Sequence, residues 1–267
     1  MKILCPTDFS KHSLKAVEYA VSIANAVNAE LHVVTAFEVP RKSSSFINID
    51  DTIRANTEED MEQFIAGISP LLTVEHALES HVYQGDTINV INGYVKDRDI
   101  DLIIMGTQGS NSIRTLLFGS TTKKTASKAR VPVLAIPENA IHSVHNNKML
   151  LALDNKVLEN ESVFEIPKKL AKYLGLHIDI LHIKEDDDEK LPFDPYVSEY
   201  LGDAMGEVNI IEGNNPVNAI KSYAESHPVG MVLMIRRKKG FFERLFTVGN
   251  TSQEIAKTNI PLLILPD

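Results

Sequence analysis

The chain has 267 residues, 43% hydrophobic and 24% charged, with 13 glycines and 12 prolines, an ordinary globular composition that excludes collagenous, low-complexity and wholly disordered chains. A net charge of -9 and a pI near 5.5 are a poor electrostatic start for holding a polyanion, so nucleic acid is not the expected partner. The single cysteine, Cys5, cannot close an intramolecular disulfide. With no apolar run near 18 residues and no signal-type amino terminus, a cytoplasmic protein outside the membrane is expected.

In chain order, Ile3-Leu-Cys5 reads as a short buried strand, followed by apolar positions Leu14, Val17, Val21, Ala24 and Val27 at helical spacing behind a capping Ser10. Leu31 to Ala36 predicts the second strand. A loop through Lys42-Ser-Ser-Ser45 leads to an acidic helix around Thr57–Ile68. His81-Val-Tyr83 is the third strand, Thr87–Lys96 a helix, Leu102–Met105 the fourth strand, Ser120–Ala129 a helix and Val133–Ile136 the fifth strand. Such alternation implies βαβ units and a parallel sheet.

The pattern then repeats. Lys2-Ile-Leu-Cys-Pro-Thr-Asp8 is echoed by Lys148-Met-Leu-Leu-Ala-Leu-Asp154, and Val131-Pro-Val-Leu-Ala-Ile-Pro137 by Ile260-Pro-Leu-Leu-Ile-Leu-Pro266. The second copy loses about nineteen residues between its second and third strands. We expect one unit over 1–140 and another over 146–267. The closing strand of each, Val133–Ile136 and Leu262–Leu265, would be a bare sheet edge.

The residues that carry chemistry are Gly106-Thr-Gln-Gly109 and, nine residues later, Gly119-Ser120-Thr121. Glycines permit close backbone approach, the first-turn N–H groups of a helix lack intrahelical acceptors, and the hydroxyls of Ser120, Thr121 and Thr122 add donors, a setting suited to phosphate. The spacing is neither a Walker loop nor a GxGxxG turn. If the strand order is 3-2-1-4-5, Asp8 and Gly106 line one crevice at the topological switch.

Pro6-Thr-Asp-Phe-Ser10, Asp101-Leu-Ile-Ile-Met-Gly106, the G-x2-G-x9-G-S/T spacing and the closing Val-Pro-Val-Leu strand together resemble the universal stress protein family, as a tandem of two domains. The resemblance implies two Rossmann-like α/β domains of the adenine nucleotide alpha hydrolase type, each a five-stranded parallel sheet of order 3-2-1-4-5, joined edge to edge as an intramolecular pseudo-dimer; a further homodimer is left open. It implies ATP, or AMP or ADP, as ligand. Pro6, Thr7, Asp8 and Ala36 would form the base and ribose side. Met105, Gly106, Gln108, Gly109, Gly119, Ser120 and Thr121 would form the phosphate side. The function implied is nucleotide-dependent stress regulation through an unidentified protein partner, with ordering of Thr107–Phe118 as the signal. A weak ATPase using Mg2+ near Ser120 and Thr121 is one alternative, and a structural adaptor another.

The second unit departs from this pattern. Asp154 and Gly249-Asn250-Thr251 persist, but Arg236 and Lys239 are aligned with Gly106 and Gly109, so that unit is not expected to bind ATP in the same way. Arg236, Arg237, Lys238, Lys239 and Arg244, with Phe241, Phe242 and Phe246 among them, read either as a different anion site or as a solvated basic turn with packing aromatics. His32, His76, His177 and His182 lack metal-ligand spacing, and Glu185–Glu189 lacks that of a calcium loop.

Overall fold

The computed structural model describes residues 1–39, 49–73, 78–107, 118–140, 148–154, 158, 160–184, 196–212, 215–237, 242–243 and 259–267. In the first half, β1 (Lys2–Pro6), β2 (Glu30–Phe37), β3 (Leu78–Gln84), β4 (Leu102–Gly106) and β5 (Val133–Ile136) alternate with helices α1 (Lys11–Val27), α2 (Ile49–Ile68), α3 (Thr87–Asp97) and α4 (Ser120–Lys128). The second half carries β6 (Lys148–Leu153), β7 (Ile178–Lys184), β8 (Met205–Glu212), β9 (Val229–Arg236) and β10 (Leu262–Pro266), with helices α5 (Glu165–Leu174), α6 (Tyr196–Leu201) and α7 (Pro216–Ser226).

The inner strands are apolar on both faces because helices cover both, while the edge strands β3 and β8 are largely exposed. Ile3, Leu4 and Cys5 are fully buried, as are Leu102, Ile103 and Ile104. One face packs Ile3, Cys5 and Ile104 under α1 and α2. The other packs Leu4, Ile103 and Met105 under α3 and α4. Burial also pushes the Cys5 thiol far above its ordinary range, so it packs as a small hydrophobe and is not a reactive thiolate.

A single ten-stranded sheet runs β3-β2-β1-β4-β5-β10-β9-β6-β7-β8. Each half thus has the order 3-2-1-4-5, parallel throughout. The two last strands meet antiparallel, with Leu134 opposite Leu263, Ala135 opposite Leu262 and Val133 opposite Ile264. That reciprocal pattern is a pseudo-two-fold axis through the Leu134–Leu263 pair, and it supplies the backbone partners that two bare edges would lack. Leu134 and Leu263 are fully buried there, whereas Val131 and Ile260, expected to be buried beside them, are only half-buried. Helix α1 also packs on α5 across the junction.

Two element boundaries differ from the sequence expectation. Helix α2 begins at Ile49, not near Thr57, with Asp50 and Asp51 in its first turn where the helix dipole favours anions. The third strand extends beyond His81–Tyr83 to Leu78–Gln84, paired residue for residue with β2. The missing segment of the second half falls where expected: α6 has six residues where α2 has twenty.

Candidate functional site

The chain leaves β1 for β2 on one side and returns to β4 on the other, so β1 and β4 are hydrogen-bonded neighbours and their carboxyl ends flank the topological switch. Pro6 ends β1, and Asp8 follows in the turn to α1. The turn is held internally. Ser10 donates both its N–H (3.2 Å) and its hydroxyl (2.6 Å) to Asp8 Oδ1, and its own Oγ caps α1 by accepting from Ser13 N at 3.3 Å. Phe9 takes the left-handed conformation, φ 59°, and donates its N–H to Thr7 Oγ1 at 3.0 Å. A large side chain in that region is strained, and it is retained here because Phe9 packs edge-on against Phe64 of α2.

Thr7 is buried and fully employed. Its N–H reaches Val34 O at 2.9 Å, its carbonyl accepts the Thr35 hydroxyl at 2.8 Å, and its hydroxyl lies 2.9 Å from Ser13 Oγ. Thr7 therefore positions the turn, while Asp8 is exposed at its tip. Ala36, half-buried, is the penultimate residue of β2 at the same sheet edge.

On the other side of the switch, Met105 and Gly106 close β4 and are buried. Gly119 donates its N–H back to Thr107 O, and Thr107 N–H goes to Ile136 O at 2.9 Å. Thr122, 3% exposed, donates its hydroxyl to Gly106 O at 2.7 Å. These ties dock the first turn of α4 directly on the end of β4. Thr122 is thereby consumed as a strut, contrary to the expectation that its hydroxyl would face a ligand; Ser120 beside it is exposed and Thr121 half-buried. Gly119, the N-cap, has φ −57° and ψ 154°, an ordinary conformation, so what its missing side chain provides is open approach and not a left-handed turn. Gln108 and Gly109 lie outside the described residues.

The second half differs at the same place. Gly106 pairs with Ile136, and under the pseudo-two-fold its counterpart is the residue paired with Leu265, which is Ile235. The sheet register thus corrects the sequence alignment by one position: buried Ile235 stands for Gly106, and Arg236 for Thr107. Arg237 turns into the crevice, with its Nη1 2.9 Å from Asp154 Oδ1 and its Nε 2.6 Å from Asp267 Oδ2, its side chain only 6% exposed. The aspartate equivalent to Asp8 is thus ion-paired instead of presented to solvent. Arg236 donates Nη1 to Ala126 O at 2.8 Å, tying the second half to the last turn of α4. Phe242 is buried, as a packing aromatic should be. Lys238, Lys239, Arg244, Phe241, Phe246, Gly249, Asn250 and Thr251 lie outside the described residues, as do His76 and Glu185–Glu189.

Among the described residues no group of three or more His, Cys, Asp or Glu side chains could hold a metal ion. His32 instead sits 1% exposed, its Nδ1 2.9 Å from the Tyr94 hydroxyl and 3.5 Å from Glu79 Oε2. Burial lowers its pKa against the opposing pull of Glu79 and Glu30. The histidine stability term is therefore fully present above the unfolded-chain value near 6.5 and is lost as pH falls toward the lower folded-state value. Urea midpoints should drop between pH 7.5 and 5.5, and His32→Gln should flatten that slope; an unchanged slope would contradict the assignment.

A family model described as the universal stress protein family matches residues 1–137, just over half the chain. The chain belongs to the universal stress protein family. Universal stress protein MJ0531 of Methanocaldococcus jannaschii is 27% identical over 142 residues, covering 51% of this chain and 81% of the relative. Stress response protein NhaX of Bacillus subtilis is 24% identical over 160 residues, covering 51% of this chain and 96% of the relative. The solved structure of a universal stress protein from Archaeoglobus fulgidus DSM 4304 matches at a TM-score of 0.73 and 23% identity, covering 99% of this chain and 98% of its own; this likeness concerns the fold. In this universal stress protein fold no helix among the described residues is long and apolar enough to cross a membrane.

Proposed function

We propose that the first half of this universal stress protein binds an adenine nucleotide, ATP foremost, and that the chain acts as a nucleotide-dependent stress regulator. The observation that carries this reading is the docking of α4 on β4 through Gly119 N–H to Thr107 O and Thr122 Oγ1 to Gly106 O, which aims a helix amino terminus at the switch crevice beside Asp8. Helix-terminal N–H groups and the hydroxyls of Ser120 and Thr121 suit the phosphates. The Asp8 carboxylate suits a ribose hydroxyl or the adenine amine as acceptor. Mg2+ would accompany the phosphates as counter-ion. The second half, with Ile235 in the glycine position and Arg237 on Asp154, does not offer the same crevice, so one nucleotide per chain is expected.

Calorimetry with MgATP on the full chain tests this. Gly119→Val is the sharpest variant, because φ −57° and ψ 154° accommodate valine while its branched side chain obstructs phosphate approach. It should abolish binding and leave the fold in place; Asp8→Ala should weaken binding. At ligand concentrations about 100 times Kd, the parent should gain about 2.7 kcal/mol of stability that Gly119→Val lacks. Undiminished ATP affinity in both variants, or two sites per chain, would reject the assignment.

A further inference from the structure

Because β5 and β10 run antiparallel, the amino end of β5 lies against the carboxyl end of β10, and the carboxyl edge of the second half faces the first half's amino edge. A cleft of about 390 Å³ opens there, within the range of about 300–1,000 Å³ usual for small-molecule sites. We propose that this cleft binds a small phosphate-bearing anion, at a site separate from the nucleotide crevice and independent of the reading given to that crevice.

The two halves each contribute an arginine to the cleft wall, Arg130 just before β5 and Arg236 at the end of β9. Neither has a carboxylate partner among the described residues. Arg236 is half-buried and uses Nη1 for Ala126 O at 2.8 Å, which fixes its guanidinium plane and leaves its other N–H donors for a ligand. Arg130 is exposed at the mouth. Planar guanidinium forks match the oxygen pairs of a tetrahedral phosphate, and two forks approaching from different halves match a dianion better than a single carboxylate. Asn160 and Ser162 add polar groups to the lining, and Val163 and Ile166 give it an apolar wall.

Three carboxylates also line the cleft and oppose the two arginines. Asp267 is taken by Arg237 at 2.6 Å, and Asp101 accepts the Lys2 backbone N–H at 2.7 Å. Asp101 keeps its charge, since a backbone N–H does not neutralise it, and Glu165, exposed in the first turn of α5, is the second opposing charge. It supplies an independent arm of the test, since its neutralisation should strengthen anion binding.

Inorganic phosphate is titrated into the full chain in a phosphate-free, low-salt buffer, with binding followed by calorimetry and phosphorus NMR line broadening. Saturable binding is expected, weakened at least about tenfold by Arg130→Gln and by Arg236→Lys, which keeps the charge but removes the fork. Glu165→Gln should tighten it, while the distant Lys221→Gln should leave it unchanged. Arg130 is exposed, so its variant carries no folding risk and decides the matter if Arg236→Lys unfolds. Absence of saturable binding, or indifference to Arg130→Gln, overturns the proposal. So does loss of binding on Gly119→Val with the arginine variants unaffected, which would move the phosphate to the amino terminus of α4.

Discussion

Replacing Arg237 by alanine is expected to lower the unfolding free energy by about 3–5 kcal/mol, among the largest effects of any single substitution in this chain. The guanidinium bridges Asp154 and Asp267, at 2.9 and 2.6 Å, and all three side chains are largely withdrawn from water, with 6%, 17% and 7% of their surfaces exposed. Solvent therefore screens the pairs weakly, and removing the cation takes from both carboxylates the charge that Arg237 sets against them. Denaturant unfolding of the full chain measures the loss. A double-mutant cycle with Asp154→Asn sharpens it, because neutralising one abandoned carboxylate should recover part of the deficit. A loss below about 1 kcal/mol would place the triad with exposed surface pairs.

Leu134→Asp and Leu263→Asp should each cost more than about 4 kcal/mol and collapse both halves in one transition. The two leucines face each other on the pseudo-two-fold axis, both without exposed surface. They belong to one apolar cluster that runs from α1 and β1 through β5 and β10 to β6 and α5, so neither half has a core that ends at the junction. A carboxylate there has no described cation beside it, and any separation uncovers two sheet edges that invite association between chains. The milder Leu134→Ala should cost about 2–5 kcal/mol and keep the pairing. Urea unfolding followed by both far-ultraviolet dichroism and light scattering checks this. Two separated transitions in the parent chain, or aspartate variants as stable as the parent, would refute the shared core.

Much of this follows from local pattern. The two copies, the alternation of strand and helix, the Ser10 cap and the bare edges of the fifth strands are written in periodicity and turn chemistry, which act over a few residues and survive in any context that buries the apolar face. The start of α2 at Ile49 was illegible because its apolar positions are sparse, and packing on β2 and β3 decides how far the helix extends.

The candidate site divides in the same way. Asp8, Gly106 and the Gly119-Ser120-Thr121 turn are legible as residue types at a spacing, and the topological switch brings them to one edge. What the sequence could not assign is where side chains spend their hydrogen bonds. Thr122 looks like a ligand donor until the docking of α4 gives its hydroxyl to Gly106 O, sixteen residues back. Arg236 and Arg237 look like a solvated basic turn until folding sets one on a carbonyl 110 residues away and the other on an aspartate 83 residues away. The register that puts Ile235 in the place of Gly106 is likewise a property of paired strands, since alignment by motif can slip one residue where the turn that follows differs in length. Sequence alone thus determined the repeated fold and the first half's glycine-led turn into α4, because both rest on local backbone chemistry. Only tertiary structure decided that Arg237 bridges Asp154 and Asp267, because that depends on charges brought together from distant parts of the chain in a place where water screens them weakly.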